Sequence, residues 1–165
     1  VGRNDPDEPH PSDRAVTYPL VARRRAAPIR LSLASDLGQD IDGAWWPRTD
    51  RIGGELPDLV LALSNRLGEI TGIDVNWPSL QRPPDLNWRG WQLKHQHVIS
   101  AKSCDACANV LIIPYATNST LATMMLRRAA NLPIDPAYCD TTSFHTAGSI
   151  LYAAKQQFAS SRAEE

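Results

Sequence analysis

Cysteine is scarce in this chain, three in 165 residues, and so thin and odd a set cannot staple a fold of a length that builds its own core. Cys104, Cys107 and Cys139 are therefore read as free thiols. Charge of either sign is not in excess either: 17 Lys and Arg against 18 Asp and Glu leave a net charge of −1. Bulk electrostatics then favour neither nucleic acid nor an anionic membrane. No apolar run approaches the roughly 20 residues that cross a bilayer, so no membrane-spanning helix is expected. The Gly-x-Ser-x-Gly elbow, the glycine-rich phosphate loop and the dinucleotide fingerprint are all missing, and no cofactor is expected. Residues 1–14 lack the basic start and apolar stretch of a secretory signal, which makes the cytoplasm the expected setting.

What is present belongs to one globular domain: 42% apolar and 21% charged residues, in a chain within the usual range for a single core. Residues 1–28 carry five prolines among charges and too few spaced apolar residues to bury a face, so they read as a disordered arm. The run Arg23, Arg24, Arg25 within it is a weak electrostatic footprint. Residues 29–132 read as an α+β domain, and 133–165 as a C-terminal helical extension and tail.

From Ile29 the pattern alternates. Ile29, Leu31 and Leu33 face one way and Arg30 and Ser32 the other, which is a half-buried strand. The turn Asp36 to Asp42 then leads to a second extended segment from Ile41 to Trp46, completing a hairpin that Pro47 ends. Ile52, Leu56, Leu59, Val60, Leu63 and Leu67 recur at helical spacing. Pro57 places the regular part of that helix near Glu55, and Gly68 stops it. Further strands are expected at Ile70 to Trp77, around Trp91 to Lys94 and at Val98 to Ser103. The run Val110 to Ile113 suits a central strand buried on both faces. A second helix starts at Asn118 or Ser119 and ends near Ala130 with Arg127 and Arg128 in its last turn. Ile150, Leu151, Ala154 and Phe158 mark a third. Short connections between strands predict a two-layer α+β fold: a mostly antiparallel sheet of about five to six strands, two core helices chiefly on one face, and an appended C-terminal helix. A doubly wound parallel sheet would need a helix between most strands.

His95, His97, Cys104 and Cys107 are ligand types that zinc accepts, and a zinc or thiol-redox role for them is one alternative reading. If Val98 to Ser103 is extended, however, His97 and Cys104 lie about 20 Å apart, too far for one ion. A thioredoxin-type pair would also sit at a helix N-terminus, whereas Cys104 and Cys107 flank a tight turn. Trp77, Trp88 and Trp91 do not make a nucleic-acid platform, because Arg82 and Arg89 are accompanied by Asp74 and Asp85.

The stretch Asp42-Gly43-Ala44-Trp45-Trp46-Pro47-Arg48 is the most distinctive. Adjacent strand residues point to opposite faces, so Trp45 and Trp46 cannot enter the same core. The indole turned away from the main core, with Asp42 and Arg48 sharing the parity of Trp46 and with Glu55 brought near by the following helix, outlines a site for a planar or anionic ligand or a protein partner. The competing structural reading has loops or the third helix cover the second indole, with Arg48 bridged to Glu55 or Asp42.

With Arg30 to Leu33, Glu55-Leu56-Pro57 and Leu111 to Pro114, this stretch resembles the signature of an actinobacterial family of unknown function over about Ile29 to Leu132. The resemblance implies membership and no particular activity. The expectation is thus a non-enzymatic ligand- or partner-binding or regulatory module centred on Asp42, Trp45, Trp46, Arg48 and Glu55. A further alternative is an enzyme of unrecognised type using Asp42 or Glu55 as acid or base, which requires a carboxylate in a cleft with a raised pKa.

Overall fold

The computed structural model describes residues 28–78 and 81–164; the expected N-terminal arm and its arginine run lie outside them apart from Pro28. Strands β1 (Leu31–Leu33) and β2 (Gly43–Trp45) form the hairpin, followed by α1 (Ile52–Leu67), β3 (Gly72–Val75), β4 (Val98–Lys102), β5 (Cys107–Ile112), α2 (Ser119–Ala129) and α3 (Thr142–Ala163). One open five-stranded sheet results, in the order β1-β2-β5-β4-β3. Three of its pairings are antiparallel and β2–β5 is parallel. A parallel pair cannot be closed by a tight turn, and here α1, β3 and β4 form the connection.

Period-two alternation divides the side chains of the central strands between two apolar clusters. Trp45, Ile99, Val110 and Ile112 bury against Leu59, Leu63 and Leu67 of α1. Ala44, Val98, Leu111 and Ile113 bury against α2 and α3. The apolar run at Val110 to Ile113 is continuous because β5 lies mid-sheet with a helix layer on each side. The two core helices, expected chiefly on one face, lie on opposite ones: α1 packs on the Trp45 face and α2, with α3, on the Ala44 face, because the inner strands are apolar on both sides.

Helix ends follow local chemistry. In α1 the helix begins at Ile52, three residues before Glu55, because a tight first turn, with the Gly54 N–H on the Arg51 carbonyl at 3.1 Å, precedes Pro57. Gly68 terminates it at φ +82° while its N–H reaches the Ser64 carbonyl at 2.9 Å, a conformation that glycine adopts without penalty. The Asn118 side chain caps α2 through the Thr120 N–H at 2.9 Å. The third helix is docked rather than trailing: Ala147, Ile150, Leu151 and Ala154 are buried. Arg128 of α2 lies over the Phe144 ring at 4.1 Å and donates to the Phe144 carbonyl at 2.8 Å.

The strand expected around Trp91 to Lys94 is instead a 3-10 helix, Arg89–Leu93. Trp91 is buried while Leu93 is 88% exposed, so the two do not share a strand face. The Asp85 side chain accepts from the Asn87 N–H at 2.9 Å, and the Trp88 and Trp91 N–H groups reach back three residues. Successive tight turns thus use the groups that a ladder would need. The Trp88 indole also lies against Gly90 so closely that any Cβ there would overlap it.

The hairpin has its own close approach. A Cβ on Gly43 would run into the Ser32 carbonyl oxygen and crowd the Leu33 Cα at 3.0 Å, so β1 seats on β2 only where residue 43 has no side chain. Gly43→Ala is expected to cost about 3 kcal/mol, measured as a lowered urea midpoint; a midpoint equal to wild type would contradict this close packing.

Candidate functional site

The register pairs Leu31 with Trp45, which sets Arg30 next to Trp46 across the hairpin. Trp45 is 1% exposed in the α1 cluster, whereas Trp46 is half-buried and packs against the cluster on the other face. The Trp46 indole N–H donates to the Tyr115 carbonyl at 3.2 Å. The Arg30 guanidinium lies over the Trp46 ring, 3.7 Å from its centroid, within reach of a cation–π attraction. Its Nε and Nη2 donate to the carbonyls of Trp46 and Pro47 at 3.1 and 2.8 Å.

Glu55, in the first turn of α1, organises the segment that follows β2. Its Oε1 accepts from the Arg48 N–H at 2.8 Å, and its Oε2 accepts from the Thr49 N–H and hydroxyl at 3.0 and 2.9 Å. Burial alone would raise its pKa, but these hydrogen bonds and the charge of Arg30 prevail and hold it below the ordinary carboxylate value. Arg48 places Nη2 on the Pro28 carbonyl at 2.8 Å. Burial and the nearby charge of Arg48 lower the pKa of Arg30, and Glu55 offsets them in part.

Trp45, Trp46, Arg48 and Glu55 are thereby brought together with Arg30 around an open groove of about 420 Å³ at the β1 edge, walled on the other side by Asp58 and Leu61 of α1. Asp42 is not part of it. Fully buried, Asp42 accepts the Gln39 N–H on Oδ1 and the Asn109 N–H on Oδ2, each at 2.8 Å. Its own N–H donates to the Asn109 carbonyl at 2.8 Å. It is a clasp between β2 and β5. Arg30 was missed as a site residue by its type alone, yet the hairpin register places it opposite Trp46.

The other expected ligands are dispersed. His97 and Cys104 stand beyond opposite ends of β4, and among the described residues no three His, Cys, Asp or Glu side chains gather to hold a metal. Cys104 is exposed in the β4–β5 turn, where the Ser103 N–H meets the Ala106 carbonyl at 2.9 Å, and Cys107 pairs with Lys102 as β5 begins. His97 is 1% exposed and stacked on Trp77, with centroids 4.4 Å apart and planes 4° from parallel. Among the described residues neither ring nitrogen has a hydrogen-bond partner. Burial first, then the charge of His95, lowers its pKa to about 4. As to acid–base catalysis, the shift at Glu55 is opposite to the one a proton donor at neutral pH requires.

A small α+β protein, with one open five-stranded sheet and a groove at one edge lined by indoles and guanidinium groups, is what fold and site define. Within that class, the chain belongs to the family of unknown function DUF5994, whose model matches residues 30–129. The match runs from the residue before β1 to the end of α2. Neither a curated protein nor a solved structure matches the chain.

Removing the clasp leaves the buried Asn109 N–H and the part-buried Gln39 N–H without their acceptors. Asp42→Ala is therefore expected to destabilise by about 3 kcal/mol, read from chemical denaturation; a loss below that of a typical surface substitution would contradict the assignment. For His97, the unfolded chain binds a proton below about pH 6.5 and the folded chain only below about 4. Between these values the unfolded state binds more protons, so stability falls as pH falls from 6.5 to 4, by up to about 3 kcal/mol. Unfolding curves through this window are expected to be steeper in pH for the wild type than for His97→Phe. Equal slopes would mean that His97 titrates normally in the fold.

Proposed function

We propose that the protein is a non-enzymatic binding module whose groove at the β1 edge takes a small anionic ligand with a planar face. The observation that carries this reading is a pair of guanidinium groups left outside ion pairs, although the groove also carries the Glu55 and Asp58 carboxylates. Arg30 and Arg48 line the same groove, and among the described residues neither forms an ion pair with a carboxylate. Both oxygens of Glu55 are already occupied by Arg48 and Thr49 donors. An incoming carboxylate or phosphate would relieve the mutual repulsion of the guanidinium groups through charge-assisted hydrogen bonds, while the indole edge of Trp46 would supply apolar contact.

A second reading, an acidic segment of a protein partner, is favoured by Leu61, which is 66% exposed on the groove wall. We further infer an actinobacterial source from the tryptophan signature, and a cytoplasmic setting from the sparse cysteines. In the same reading residues 29–132 are the binding unit and 133–165 a helical extension.

Titration of indole fluorescence with aromatic carboxylates and nucleotides tests the reading. Saturable quenching is expected, with Arg48→Ala weakening it about tenfold, or about 1.4 kcal/mol. Absence of any saturable change in folded wild type would remove the small-ligand reading, and Leu61→Ser would then separate a partner surface from an inert one by its effect on complex formation.

A further inference from the structure

A second cavity, of about 880 Å³, opens on the α3 side of the sheet, where β3, β4 and β5 run beyond the apolar core. Its floor is built by register. Asp74, Ser100 and Asn109 stand in one row across three strands, and Lys102 and Cys107 pair in the next. On this face Val98, Leu111 and Ile113 are core residues, so the inward positions change from apolar to polar along the same strands. A surface that served only to seat a helix would continue apolar. Phe158 and Arg162 of α3 form the wall, and Trp77 lies at one end.

We propose that this cavity binds a small phosphorylated sugar, free or as part of a nucleotide, with its hydroxyls on Ser100 and Asn109 and its phosphate toward Lys102 and Arg162. The hydrogen-bond inventory supports this division. Asn109 is 5% exposed, and one amide hydrogen is spent on the Gln39 carbonyl at 2.9 Å. An amide nitrogen carries two hydrogens, so a second donor remains. The Ser100 hydroxyl spends its proton on Asn109 Oδ1 at 2.7 Å and keeps acceptor capacity. A donor beside an acceptor is what a ligand hydroxyl requires. Charge favours an anion at Arg162, which lines the cavity; Lys102 lines it too, 2.7 Å from Asp74, the one carboxylate among the described lining residues. The volume lies within the roughly 300 to 1,000 Å³ of small-molecule sites.

Asp42 gains a place here. By binding the Asn109 N–H and Gln39 N–H, it fixes both the strand position and the loop that orient the Asn109 amide, a positioning role that preorganises the floor.

Cys107, half-buried on the cavity floor, reports occupancy. In the 165-residue chain carrying Cys104→Ser and Cys139→Ser it is the sole thiol, and its alkylation by iodoacetamide can be timed with ribose 5-phosphate, AMP or inorganic phosphate at millimolar concentration. Ribose 5-phosphate or AMP is expected to slow alkylation about tenfold at saturation, and inorganic phosphate much less. Equal protection by both organic phosphates identifies the sugar phosphate as the bound unit, and protection by AMP alone identifies the nucleotide. Arg162→Ala, at an exposed position of α3, should abolish protection, as should Ser100→Ala, with circular dichroism confirming that both variants fold. Unchanged rates with all three probes would overturn the proposal, as would protection by phosphate alone equal to that by the sugar phosphate, or protection that survives both substitutions.

Discussion

Three residues of β2 fix the geometry of everything around them. Gly43, Ala44 and Trp45 pair with β1 on one side and β5 on the other, and the alternation of their side chains is the constraint to which both layers conform. Ala44 is small where the α2 and α3 layer approaches, and Trp45 fills the space beneath α1. Trp46, one residue on, must then turn back to the first face, at the point where the strand has ended and no helix fully covers it. A half-buried indole beside a sheet edge is the direct result, and Arg30 occupies its face because the same pairing brings the start of the hairpin there.

The second feature that spans the fold is the polar seam between β2 and β5. Asp42 and Asn109 exchange backbone and carboxylate hydrogen bonds at the buried head of the parallel pair. Buried carboxylates are costly unless their oxygens are satisfied, and here each accepts a backbone N–H. The seam separates two polar regions: Arg30, Trp46, Arg48 and Glu55 gather at the β1 edge, while Asp74, Ser100, Lys102, Cys107 and Asn109 gather over β3, β4 and β5.

Much of this was legible in the residues. Alternation at Ile29 to Leu33 identified β1, the apolar spacing from Ile52 to Leu67 identified α1 with Gly68 as its stop, and the uninterrupted run Val110 to Ile113 placed β5 mid-sheet. The split of the two indoles between faces followed from pleating alone. Other features depend on partners distant in sequence. The parallel alignment of β2 with β5 leaves no local mark, since each strand looks the same whichever way its neighbour runs. Trp91 and Leu93 alternate with polar residues in text, but the Asp85 turn and the Trp88 ring over Gly90 coil that segment. Asp42 shares the parity of Trp46, and parity says nothing of the Asn109 N–H that draws its carboxylate inward. The polar row Asp74, Ser100 and Asn109 is scattered over three strands and exists only once their register is set.

The central claim is that the tandem indoles are separated by the sheet, Trp45 sealed and Trp46 reachable from the groove. Incorporation of 5-fluorotryptophan, with resonances assigned by single Trp→Phe substitutions, allows both rings to be followed by fluorine NMR while a soluble gadolinium chelate is added. The account predicts strong broadening of the Trp46 resonance and little change at Trp45. Equal broadening of the two, or protection of both, would contradict it.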